Sequence, residues 1–236
     1  GAHLWSHCVS NSPTASASVV DSADNLIVGG YYSHTNTNFG GGAIGQFDES
    51  NESDGFLVKY SGTDGAFQWA TRYGGGSNDY LYGLAIDGSD NLYIAGSFAN
   101  SMNIDGAGLV GNGSDDIFVA KLDSTGSHLW SRSFGDSFSD AAYDVAVDTQ
   151  GNVIVVGLFK GTIDFGGGPL TSQGNDDIFV LKLSGSDGSY MWAKRFGGSN
   201  IDRAADVRTD QADEIVVSGR ISSNVDFGSG PLSFQG

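Results

Sequence analysis

Across 236 residues, 28 acidic side chains outnumber 11 basic ones, and the net charge of −17 sets up a field that repels nucleic acid and anionic membrane surfaces. The 37 glycines keep no collagen-like period, prolines number only 3, and the single cysteine, Cys8, excludes an internal disulfide framework. Aromatic residues at 11% exclude a disordered chain, and no apolar run reaches the roughly eighteen residues of a membrane-spanning helix.

Taken in order, the chain repeats itself. Trp5 opens a strand-like run, and Trp69, Trp130 and Trp192 follow at intervals of 64, 61 and 62 residues. An acid stands 16 residues after Trp5 and 18 after each later Trp: Asp21, Asp87, Asp148 and Asp210. Nine further on comes a glycine (Gly30, Gly96, Gly157, Gly219), and seven to nine beyond these stand Asn38, Asp105, Asp164 and Asp226. Self-similarity at this period predicts a propeller, solenoid or array. The units span approximately residues 1–64, 65–125, 126–187 and 188–236, and together make one repeat domain.

Within the third unit, residues 142–148 and 153–159 form the first two strands. Between them, Asp148-Thr149-Gln150-Gly151-Asn152 supplies the Asx and Gly chemistry of a hairpin turn. Residues 178–183 form the third strand, and residues 128–134 serve as fourth strand of the preceding unit. Asp144-Val145-Ala146-Val147-Asp148 and Phe179-Val180-Leu181-Lys182-Leu183 alternate as pleated strands do, and no ten-residue stretch has helical spacing. The expected fold is all-β: a β-propeller of four-stranded antiparallel blades built from four repeats of about 62 residues. A β-sandwich is the alternative, but nothing in a sandwich requires one unit to recur four times.

The segment Asp148-Thr149-Gln150-Gly151-Asn152-Val153-Ile154-Val155-Val156-Gly157 resembles the core of the bacterial SBBP repeat, a seven-bladed β-propeller family. So do Ile163-Asp164-Phe165-Gly166-Gly167-Gly168-Pro169-Leu170 and Asp176-Asp177-Ile178-Phe179-Val180-Leu181-Lys182-Leu183. The likeness covers essentially the whole chain and is weakest before Asp21. It implies a propeller belonging to a large exported bacterial protein, hence an extracellular or cell-surface address. The four repeats here are fewer than the seven of the family name.

Gly1 aligns with Gly126 and Gly236 with Gly174, so the fourth unit lacks the counterpart of residues 175–187, one strand and its turn. A start at Gly1-Ala2, without Met or a signal-peptide pattern, reads as a processed or cut product. The expectation is an incomplete last blade, in a fragment of a longer array or a ring closed with another chain. Self-association through that blade follows.

Several residue sets carry candidate chemistry. The Trp stripe, with Val9, Tyr73, Phe134 and Phe196 each four residues on, reads as core between blades. The turn acids Asp21, Asp87, Asp148 and Asp210 read as turn caps, with calcium ligation as the alternative. Asp79, Asp140 and Asp202 lie ten residues after a Trp, in Gly-rich links expected on one face near the axis, while Pro13 stands at that place in the first copy. Either they form a carboxylate ring that holds a ligand, or each bonds its local backbone. Tyr80, Tyr82, Tyr143 and Arg203 vary from copy to copy beside those acids, as a binding face on a fixed scaffold would. Asp105, Asp164 and Asp226, in long segments expected to open on the same face, are the candidate calcium ligands. The acidic insertion at residues 48–55 does not fit EF-hand spacing and reads as a solvated loop. His3, His7, His34 and His128, with Cys8, form no oriented dyad, and no phosphate loop, dinucleotide fingerprint or zinc spacing appears.

The expected function is a non-catalytic extracellular scaffold or binding module, taking a protein or carbohydrate ligand on its loop-rich face, with no nucleic acid and no membrane insertion. An enzyme acting on extracellular polysaccharide through inter-blade carboxylates is one alternative, and a purely structural spacer array of a surface protein is another. No cofactor other than calcium is implied.

Overall fold

The computed structural model describes residues 4–11, 13–34, 36–46 and 52–232, and every regular element among them is a β-strand. Blade one contains β1 (Thr14–Val20), β2 (Leu26–Tyr32), the short hairpin β3 (Thr37–Asn38) and β4 (Ala43–Ile44), then β5 (Asp54–Tyr60) and β6 (Phe67–Tyr73). Blade two follows with β7 (Asp79–Ile86), β8 (Leu92–Ile104), β9 (Ala107–Leu122) and β10 (His128–Phe134). Blade three has β11 (Ala141–Val147), β12 (Val153–Phe159), the hairpin β13 (Thr162–Asp164) and β14 (Pro169–Thr171), β15 (Asp177–Leu183) and β16 (Tyr190–Phe196). Beyond it lie β17 (Arg203–Thr209), β18 (Ile215–Arg220) and the hairpin β19 (Val225–Asp226) with β20 (Pro231–Leu232). Blades one to three are four-stranded antiparallel sheets in inner-to-outer order, and β17 and β18 form a two-stranded sheet. The chain is therefore a β-propeller repeat array, as the period of the sequence predicts.

Where blades pack face to face the second strand is buried: β12 along its whole length, Leu92–Phe98 of β8, and most of β2, whereas β18 is largely exposed. Trp130 of blade two lies in one core cluster with Val145, Phe179 and Leu181 of blade three. Each such Phe or Leu contributes about 2 kcal/mol of burial. Tyr73 is buried, while Phe134, Phe196 and Val9 are half-buried against neighbouring clusters, so the Trp stripe and its companions serve the core. The run opened by Trp5 is not a strand: residues 4–9 have no ladder partner among the described residues. Trp5 still docks on blade one, donating its indole N–H to the Gly62 carbonyl at 3.1 Å. Of the acidic insertion, Asp48, Glu49, Ser50 and Asn51 lie outside the described residues, as do Gly1 and Gly236.

The inner strands β1, β7, β11 and β17 stand side by side and line a cavity of about 880 Å³. All four carry a β-bulge at the same place. The pairing register slips between Ala15 and Ala17, Leu81 and Gly83, Ala142 and Asp144, and Ala204 and Asp206. The bulge explains the repeated glycine. A Cβ on Gly30, Gly96, Gly157 or Gly219 would strike the carbonyl oxygen of Thr14, Tyr80, Ala141 or Arg203, which the bulge pushes against the second strand.

Candidate functional site

The residues skipped by the four bulges are Ser16, Tyr82, Tyr143 and Ala205, and all four line the axial cavity. A bulge turns one side chain out of the pleat, which is how strands re-aim residues near binding sites. Here it brings together a row of half-buried tyrosines. Tyr80 and Tyr82 stack with ring centroids 5.8 Å apart, and Tyr82 meets Tyr143 of the next blade at 5.5 Å. Tyr31, at a position that no repeat motif marks, closes the row edge-on to Tyr80 at 4.9 Å. Its signal was weak, because its counterparts Ser97, Leu158 and Arg220 share no chemistry. Burial pushes the Tyr82 phenol up to about 12 and raises that of Tyr143 as well, so these two remain neutral donors at ordinary pH. Arg203 extends this face beyond Tyr143: its charge acts on the Tyr143 phenol, against the burial that raises it, and its Nη2 lies 3.3 Å from Asp176.

The link acids stand elsewhere. Asp79, Asp140 and Asp202 are fully buried. Asp79 Oδ2 accepts from Gly75 N at 2.7 Å. Asp140 accepts from Lys160 N and Asp136 N, and Asp202 from Ser222 N and Gly198 N. Each carboxylate folds its Gly-rich link back on itself, so these buried acids form no open carboxylate ring. Burial pushes Asp79 up to about 8 and Asp140 to about 7.

Nor do Asp105, Asp164 and Asp226 share the face of the links. Asp164 Oδ1 accepts from Gly166 N and Gly168 N, and Asp226 Oδ1 from Gly228 N and Gly230 N, so both cap hairpin turns. Asp105 sits at φ +48° in the two-residue turn between β8 and β9 and accepts from His128 N. Burial of Phe165 draws the blade-three hairpin over Tyr190, at the end of β16 remote from the link. No group of three or more His, Cys, Asp or Glu suited to a metal occurs among the described residues.

The turn acids cap their turns, as Asp148 Oδ1 does for Gln150 N and Asn152 N. Three of them also pair with a lysine of the third strand: Lys59–Asp21 at 2.7 Å, Lys121–Asp87 at 3.5 Å and Lys182–Asp148 at 2.7 Å. The sequence signal for these pairs is the repeated dipeptide Lys59-Tyr60, Lys121-Leu122 and Lys182-Leu183 at the end of each third strand.

Comparison with known proteins agrees with this architecture. The SBBP β-propeller repeat family matches residues 68–97, the stretch from β6 through β7 into β8 that carries Tyr80 and Tyr82. An uncharacterized WD repeat-containing protein of Acanthamoeba polyphaga mimivirus is 25% identical, over 73% of this chain. The chain spans only 14% of that relative's length.

Proposed function

From the premise that this chain carries SBBP β-propeller repeats, we propose that it is a non-catalytic binding module that takes an extended protein segment on its axial face. The contiguous row Tyr31, Tyr80, Tyr82 and Tyr143, spanning three blades, carries this reading. Tyrosines offer broad, rigid, amphipathic contact at low entropic cost, which is why they dominate recognition surfaces. Four bulges placing variable side chains at one cavity fit a scaffold whose specificity is set there and whose blades stay fixed. Rings and a guanidinium recognise shape and charge. Peptide and glycan arrays probed with the chain and with its Tyr82→Ala/Tyr143→Ala variant test the reading. Peptide hits that the variant loses support it. Glycan hits alone, or polysaccharide turnover abolished in Asp79→Asn or Asp140→Asn, would replace it.

A second contact is supported by β18. Its side away from β17 has no strand partner among the described residues and borders an apolar cavity of about 750 Å³ lined by Ile178, Val180, Trp192, Phe196, Ile215 and Val217. An unpaired edge beside an apolar socket accepts an added strand, and a second copy of the chain is the occupant available in solution.

A further inference from the structure

β17 and β18 place Arg203 directly opposite Arg220. Like charges facing each other across two strands destabilise a sheet. The other three blades avoid this, holding Thr14–Tyr31, Tyr80–Ser97 and Ala141–Leu158 at the same register position. The Arg–Arg pair is therefore not a demand of the repeat.

Its surroundings sharpen the point. Each of the other ten Lys and Arg residues of the chain has a carboxylate, carbonyl or ring partner. Arg220 alone, among the described residues, has none, although acids outnumber bases 28 to 11. Arg203 is half exposed and is held to Asp176 through Nη2. Both arginines line a cavity of about 330 Å³ together with Asn175, Asn200, Ile201 and Ser222. Two guanidiniums beside amide donors match the two oxygens of a carboxylate, which guanidinium binds in a fork geometry. The net charge of −17 disfavours polyanions, so the site suits one isolated carboxylate and not a phosphate chain or a sulfated polymer.

We propose that Arg203 and Arg220 form a carboxylate subsite that receives a glutamate, an aspartate or a C-terminus of the peptide bound along the tyrosine row. The subsite rests on the axial-face reading for its ligand, but it can be tested apart from it. The chain is labelled with ¹⁵N and titrated with N-acetylglutamate, watching the arginine Nε–H signals. Arg203 and Arg220 shift and saturate, Arg132 does not, and N-acetylglutamine, lacking the carboxylate, produces no shift. Arg220→Met and Arg203→Met each weaken binding by about tenfold or more, while Arg220→Lys restores part of it. Equal shifts at Arg132, unchanged affinity in Arg220→Met, or tighter binding of methyl glucuronide or sulfate than of N-acetylglutamate would overturn the assignment. The Tyr82→Ala/Tyr143→Ala variant separates the two readings. It keeps N-acetylglutamate binding even if it proves irrelevant to peptides, whereas loss of the subsite with peptide hits intact sinks the subsite alone.

Discussion

Trp130 donates its indole N–H to the carbonyl of Gly185, 3.2 Å away in the outer hairpin of the following blade. Lys121 donates to the same oxygen at 3.0 Å, and Trp5 makes the equivalent bond to Gly62. Gly188, at φ +69°, lies against the same indole: an added Cβ would sit 2.7 Å from the ring. Gly188→Ala is expected to cost about 1–3 kcal/mol through backbone strain and overpacking. Trp130→Phe, which removes the donor and part of the ring, costs a similar amount. Urea denaturation followed by tryptophan fluorescence measures both, and an unchanged midpoint in Gly188→Ala contradicts the packing.

Lys182 and Asp148 hold the second and third strands of blade three to the turn. The carboxylate is almost fully buried and the ammonium mostly so, so Lys182→Met leaves a buried charge with only its turn bonds. The expected loss is about 3 kcal/mol. Burial disfavours the Asp148 carboxylate, but the Lys182 and Asn152 bonds outweigh it and hold its pKa below the usual range. Its stabilisation is thus present above pH ~4 and is lost as pH falls through the lowered pKa. Lys182→Met weakens that acid dependence; equal acid midpoints for both proteins would count against the pair.

Gly96 faces the bulge that presents Tyr82. A methyl group there would meet the Tyr80 carbonyl oxygen and Phe118, so Gly96→Ala must straighten or displace the bulge. We expect a loss of about 2–4 kcal/mol and a change in the near-ultraviolet circular dichroism of the tyrosine row. Gly151→Ala is the control: nothing lies within 4 Å of its added Cβ, and only its φ of +80° strains it. It should cost about 1 kcal/mol and leave the tyrosine signal alone.

The sequence made the blades legible because one period fixed Trp, turn acid and glycine together, and three copies confirm each other's register. Tyr82 and Tyr143 were legible as variable positions on a constant frame. Their convergence was not, because a bulge is a backbone slip that alternation patterns do not display; only Gly96 and Gly157 hinted at it. The link acids Asp79, Asp140 and Asp202 left two readings open for a related reason. Repetition showed that they matter, but a carboxylate that caps a glycine-rich link and one that faces a ligand have the same spacing.

Asp79 and Asp140 give the fold an unusual response to base. With folded pKa values raised by burial to about 8 and about 7, they exceed an unfolded aspartate at about 3.9. The unfolded chain gives up these protons first. Stability from the protonated carboxyls is therefore complete below pH ~4 and is lost as pH rises through 7 to 8. Asp21 acts oppositely: burial is outweighed by its Lys59 and Asn25 bonds, its pKa falls to about 2, and it loses stabilisation only in acid. The melting temperature should peak near pH ~5 and decline toward pH ~9. Asp79→Asn and Asp140→Asn should flatten the alkaline limb, and identical slopes in wild type and both variants would refute the link-acid account.

In blade three, the side of β12 away from β11 carries β15, whose Lys182 reaches Asp148 and whose Phe179 and Leu181 enter the core beside Trp130. The corresponding side of β18 has no strand among the described residues, Asp210 has no lysine partner there, and Val216 and Val217 are exposed beside the half-buried Trp192. A row of free N–H and C=O groups next to apolar side chains is a template for pairing. The chain of 236 residues is therefore expected to self-associate reversibly in sedimentation experiments. A synthetic peptide with the sequence of residues 175–187 should dissociate the oligomer, raise the melting temperature and quench or shift Trp192 emission. Its lysine, at position 182 of the chain, would meet Asp210, so a Lys182→Glu peptide should bind at least about tenfold more weakly. Appending residues 175–187 after Gly236 should give a monomer for the same reason. A chain that sediments as a monomer at every concentration, with melting unaffected by peptide or appended strand, would show that the β18 edge recruits no strand.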